Sequence, residues 1–280
     1  MCPAEDAPVP AEGALQVDPN MTEATEKRTL LAGRLFYAAG MVAIGLQHFY
    51  NGDFVSVIVP SLPPSIPGRF FWTSVSGIGL VITGGAIIIG KGARPAAILL
   101  GSVLLALLIL LHIPVQAAAN PWSLGAWTLT FKILTLSGGA FAVAASLPGE
   151  ERPGLNRRFT SFGCFALAIT CAVFGVDHFL YVDFVASLVP AWIPHHVFWA
   201  HFCGAALIAA GMGMILRIRA RLASGLLGSM IFVWLLILHI PRAIADPHGA
   251  NGNEWTSVFE ALSFSGIAFI LSRTLPGRRP

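Results

Sequence analysis

The sequence predicts an all-α polytopic membrane protein, with eight transmembrane helices arranged as two parallel four-helix repeats. Three observations carry that reading. Apolar runs long enough to cross a hydrocarbon core, which takes about 20 helical residues, recur along the 280-residue chain. The composition is 55% hydrophobic and 11% charged, with mean hydropathy +0.74, where a soluble domain is about 25% charged. The two halves of the chain also align with each other. The runs are continuous and do not alternate, which excludes a membrane β-barrel.

The expected spans are 31–50, 70–90, 95–115, 126–147, 159–181, 197–216, 222–242 and 255–273. Residues 1–29 are Pro-, Glu- and Ala-rich and are expected to be a disordered cytoplasmic tail. They lack a basic segment followed by a short apolar run and a cleavage site, so the first span is expected to act as an uncleaved anchor. The repeats are placed at 30–148 and 158–276, with a cytoplasmic linker at 149–157 and a cytoplasmic tail at 277–280.

Basic residues set the orientation. Lys27, Arg28, Arg34, Lys91, Arg94, Arg152, Arg157, Arg158, Arg217, Arg219, Arg221, Arg273, Arg278 and Arg279 all fall on one side of an eight-span arrangement. By the positive-inside bias that side is cytoplasmic, and so are both termini. The formal charge of +3 therefore reflects orientation, and the scattered basic residues carry no nucleic-acid reading motif.

The first span of each repeat closes on a histidine: GRLFYAAGMVAIGLQHF (33–49) against CFALAITCAVFGVDHFLY (164–181). His48 and Asp53 thus match His178 and Asp183. A Pro-rich outer loop follows, VIVPSLPPSIPGRFFW (57–72) or SLVPAWIPHHVFWAH (187–201), lying at the outer interface or folding back over the bundle. Trp72, Trp192 and Trp199 suit that depth. The third span ends LLALLILLHIPVQAAA (104–119) and the seventh FVWLLILHIPRAIA (232–245), so His112 matches His239.

The fourth span opens AWTLTFKILTLSGGAF (126–141) and the eighth EWTSVFEALSFSGIAF (254–269), aligning Lys132 with Glu260. Opposite charges at one aligned, intramembrane level are expected to face inward and to pair across the repeats. Cys164 and Cys171 share a helical face, and no CxxC or CxxCH occurs, so the cysteines read as packing residues.

A buried imidazole is costly unless paired. The structural reading has His112 and His239 bonding the carbonyls freed by the following proline. The functional reading brings His48, His112, His178 and His239 to a common outer-leaflet cavity, with His195, His196 and His201 enriching the second half. Facing imidazoles suit a transition metal or b-type haem, with His178, His239, His195 and His201 as candidate metal ligands. Nearby Asp53 and Asp183 permit proton transfer in quinone chemistry. No nucleotide motif, nucleophile elbow or HExxH is present.

Each half resembles the DoxX-like superfamily of small bacterial four-helix membrane proteins. The resemblance rests on GRLFYAAGMVAIGLQHF, the Pro-rich outer loop and the repeated four-helix spacing. It implies a four-helix unit in a bacterial inner membrane and a connection to quinone-using oxidoreductase systems with redox or membrane-complex partners. The alternative function is a non-catalytic membrane-complex subunit or a small-solute carrier.

Overall fold

A computed structural model describes residues 19–61, 63, 65–149, 152–248 and 252–276. All regular structure among these residues is helical. Eight helices are long and apolar enough to cross a membrane. They are α1 (Pro19–Asn51), α2 (Arg69–Ile89), α3 (Ala93–Ala119), α4 (Thr128–Ser146), α5 (Pro153–Leu180), α7 (His196–Ile215), α8 (Ala220–Ala245) and α9 (Asn253–Thr274). A short α6 (Val182–Leu188) lies between the fifth and sixth spans.

Most of the expected tail, residues 1–18, lies outside the described residues. The part from Pro19 onward is helical and continues into the first span. The exposed ion pair Glu23–Lys27, 2.6 Å and one turn apart, supports that extension.

The two sequence halves are not separated in space. α4 packs along α5, and α9 packs along α1, so the last span of each half lies against the first span of the other. α4 also meets α9. These two helices form the centre: 67% and 72% of their apolar windows are buried, against 28% for Ala220–Ala245. The other helices turn apolar side chains such as Ile82, Leu99, Phe165 and Leu226 outward, as contact with lipid requires.

Small residues permit the close crossings. A Cβ on Gly163 would lie 2.7 Å from the Gly138 carbonyl, and one on Gly266 would lie 2.5 Å from the Gly33 carbonyl. Hence α4 meets α5, and α9 meets α1, backbone to backbone. Serine hydroxyls tie neighbouring helices at corresponding places. Ser137 donates to the Gly101 carbonyl at 2.8 Å, and Ser265 to the Gly228 carbonyl at 3.0 Å.

One irregularity positions two histidines. α3 contains a π turn at Leu108–His112, and α8 contains one at Leu235–His239. Pro114 and Pro241 follow two residues later and contribute no N–H. The preceding turn widens, so that the Ile113 N–H reaches the Leu108 carbonyl and the Ile240 N–H reaches the Leu235 carbonyl. Both helices continue past the proline, further than the expected ends at 115 and 242.

Candidate functional site

α4 from the first half and α5, α6, α7, α8 and α9 from the second line an open-mouthed cavity of about 640 Å³. Its walls are apolar, with Phe174, Trp199, Leu207, Trp234 and Phe264 among them. Its polar groups include Lys132, Glu260, His178, His239, Asp177 and Tyr181.

Lys132 Nζ lies 2.6 Å from Glu260 Oε2, joining the two central helices. Only 6% of the Glu260 side chain is exposed, and 20% of that of Lys132. Pairing offsets part of the desolvation cost that either ion would bear alone, several kcal/mol per ion. Glu260 Oε1 has no hydrogen-bond partner among the described residues, nor does Asp177 Oδ1. His178 Nδ1 lies 2.7 Å from the Phe174 carbonyl. A carbonyl only accepts, so Nδ1 carries the proton and Nε2 is left as an acceptor. His239 stands at the end of the π turn among charged neighbours Lys132, Glu254 and Arg242. Arg242 and Glu254 bond each other through two contacts, 2.6 and 3.1 Å. The cavity wall thus combines aromatic surface with a few polar side chains.

In the first half neither matched histidine lines a cavity; the polar cavity of about 580 Å³ at that end is lined by Asp53, Val55, Val59, Arg69 and His248 instead. His48 is fully buried; its Nδ1–H donates to the Ile44 carbonyl at 2.9 Å, and its Nε2 accepts from the Val55 N–H at 3.5 Å. His112, 2% exposed, donates through Nε2 to the Ile58 carbonyl at 3.2 Å. Val55, Val57, Ile58 and Val59 are all buried over these rings. The expected cavity shared by four histidines is therefore corrected: His178 and His239 line one cavity, while His48 and His112 lie under the first outer loop. The reason is local. Helix α1 ends at Asn51, Gly52 takes a left-handed φ of 65°, and the following apolar segment turns inward. After α5 the chain instead forms α6, whose Val185 and Leu188 form part of the cavity wall.

The remaining candidates are dispersed. Asp53 accepts two hydrogen bonds from Arg69, both 2.9 Å, and not one from His48. These bonds hold its carboxyl below the usual carboxylate range. Asp183 is exposed in the first turn of α6. His195 is exposed at the start of α7 with a left-handed φ of 59°, and His196 follows it there. His201 is exposed, its ring 5.2 Å from Phe179. No three His, Cys, Asp or Glu side chains gather to hold a metal among the described residues. The expected metal set of His178, His239, His195 and His201 is corrected accordingly, because His195 and His201 do not line the cavity that holds the other two.

The sequence reading missed Asp177 and treated Trp199 as an interfacial anchor and the cysteines as packing residues. Cys171 and Cys203 line the cavity. The signal for Asp177 was present in the aligned pairs Gln47-His48 and Asp177-His178. Gln47 is fully occupied, donating to the Gly252 carbonyl at 2.9 Å and accepting from Thr256 Oγ1 at 3.1 Å. Its counterpart is a carboxyl with an unbonded oxygen beside the cavity.

Comparison with known proteins adds no assignment: no family model matches the chain, and no curated protein or solved structure matches it significantly.

Proposed function

We propose that the chain is a bacterial inner-membrane protein that binds a quinone-type ring in the cavity beside His178 and His239, as part of a redox system. The observation that carries this reading is the cavity itself. Aromatic and aliphatic walls suit a ring and its apolar substituents, and a few convergent polar groups suit its oxygens. The DoxX-like resemblance of each half points to the same ligand class. The basic residues gather on the side of the termini, which supports cytoplasmic termini and a histidine cavity on the periplasmic side. Neutral imidazole and carboxyl groups beside a bound ring are able to exchange protons with it. A transition metal does not enter the proposal, because among the described residues no three His, Cys, Asp or Glu side chains gather to hold one.

The test is saturable quenching of tryptophan fluorescence by a short-chain benzoquinone, using the full chain in mild detergent. Trp199 and Trp234 report from the cavity wall. Binding should weaken with His178→Ala and His239→Ala and stay unchanged with His248→Ala. Absence of saturable quenching sinks the reading. Stoichiometric co-purification of another membrane protein would then favour the complex-subunit alternative, and an intense Soret band in the same sample would favour haem.

A further inference from the structure

The charges that face the cavity do not balance. Lys132 and Glu260 cancel each other across 2.6 Å. Asp177 has no such partner: its Oδ1 makes no hydrogen bond, and no lysine, arginine or histidine pairs with its carboxyl among the described residues. His178, its neighbour in sequence, has committed its Nδ1 proton to the Phe174 carbonyl. Arg242 and Glu254, close to His239, bond each other. The lining also presents donors on Tyr181, His239 and Lys132, but none of them is an uncompensated positive charge. With Asp177 ionised and the histidines neutral, the lining is therefore net negative, and an anion is disfavoured.

The walls narrow the class. Phe174, Tyr181, Phe184, Trp199, Trp234 and Phe264 all line the cavity, and the two indoles meet edge to face with centroids 6.3 Å apart. An aromatic face attracts a cation through its quadrupole, most strongly where water is excluded. Among the described residues no lysine or arginine stands over any of these rings; the cation–ring contact is Arg69 over Phe54, outside the cavity. A small metal ion is poorly served, because no set of side chains gathers to replace its hydration shell among the described residues. A bulky cation with its charge shielded by apolar groups needs no such set. It also needs no hydrogen bond to Asp177, because a carboxylate attracts a cation through a low-dielectric space without contact.

We infer that the cavity is a binding site for a lipophilic organic cation, a quaternary ammonium or phosphonium with aromatic or alkyl substituents, held by the aromatic walls and the charge of Asp177. This goes beyond the quinone reading, which concerns a neutral ring, and does not depend on it. The first half supplies no counterpart. Gln47, aligned with Asp177, is a neutral amide bonded to Gly252 and Thr256.

The experiment compares tetraphenylphosphonium with tetraphenylborate, ions of nearly equal size and opposite charge, by equilibrium dialysis against the full chain in a nonionic detergent, with uptake by protein-free micelles subtracted. Saturable binding of the phosphonium should be about tenfold or more tighter than that of the borate. Equal affinities, tighter binding of the borate, or no saturable phosphonium binding overturns the inference. Asp177→Asn keeps the shape of the side chain and removes its charge; it should weaken phosphonium binding about tenfold or more and leave borate binding no weaker. Unchanged phosphonium affinity in the folded variant overturns the role of Asp177. If the variant fails to fold, the two-ion comparison on the unaltered chain still decides. Quenching by a short-chain benzoquinone in the same preparation separates the two readings. Phosphonium binding without quenching removes the quinone and leaves the cation, quenching without phosphonium binding does the reverse, and the absence of both removes both.

Discussion

The two histidine-bearing ends of this molecule use aligned residues in opposite ways. Around His48 and His112 the chain folds back, and Val55, Val57, Ile58 and Val59 fill the space over both rings. Around His178 and His239 the chain forms α6, and the space stays open as a cavity of about 640 Å³. The difference teaches that a polar residue at a matched position is not evidence of a matched role. One arrangement satisfies its imidazoles with backbone, and the other leaves His178 and His239 lining a cavity large enough for a ring. The packed histidines, His48 and His112, serve as an internal control for the two that line the cavity.

The largest expected effect comes from the ion pair at the floor of the open end. Lys132→Met or Glu260→Gln alone leaves the partner buried without compensation and should destabilise by about 3–5 kcal/mol. The double variant should lose less than the sum. Thermal unfolding in detergent measures this, and strict additivity would break the link between α4 and α9. Next, Ile58→Ala removes part of the filling over His112. It should cost about 2–5 kcal/mol and should make His112 reactive toward imidazole-modifying reagents. Unchanged reactivity would show that the loop is not what shields the ring.

A smaller contrast separates the histidines themselves. His48→Ala leaves the buried Val55 N–H without its partner and should cost about 1–3 kcal/mol. His178→Ala removes a bond only to a helical carbonyl and should cost less than about 1 kcal/mol. Comparable losses at the two positions would erase the distinction between a structural and a cavity-facing ring. Smallest is the pH response of the first outer loop. The Asp53 carboxyl is held below its usual range by Arg69, so its contribution is present above the unfolded carboxylate range and is lost as pH falls through the lowered folded value. The pair is half-exposed, and Asp53→Asn should flatten the acid side of the stability profile by less than about 1 kcal/mol. An unaltered profile would remove Asp53 from the account.

The eight spans were legible because hydropathy and length are properties of the chain alone. The alignment also singled out Lys132 and Glu260 as opposite charges at one level, although nothing in it supplies a 2.6 Å separation. The exchange of end helices between halves was not legible. It depends on which glycine faces which, Gly138 on Gly163 and Gly266 on Gly33, and every span here contains several small residues. The contrast between packed and cavity-lining histidines was hidden for a similar reason. SVIVP and ASLVP are both short apolar segments before a proline, and what separates them is the Asn51-Gly52 break against the helical start at Val182. Asp177 was not legible because it aligns with Gln47, so the repeat offers no matched carboxyl at that level.

The most direct test of the central claim is site-resolved carbethoxylation of the native, full-length protein, read by mass spectrometry. The exposed His195 and His201 set the scale of an accessible imidazole. The account predicts measurable modification of His178 and His239, slowed by a short-chain benzoquinone, with His48 and His112 protected until the protein unfolds. Equal reactivity across all four aligned histidines, or modification of His48 and His112 ahead of His178 and His239, would contradict it.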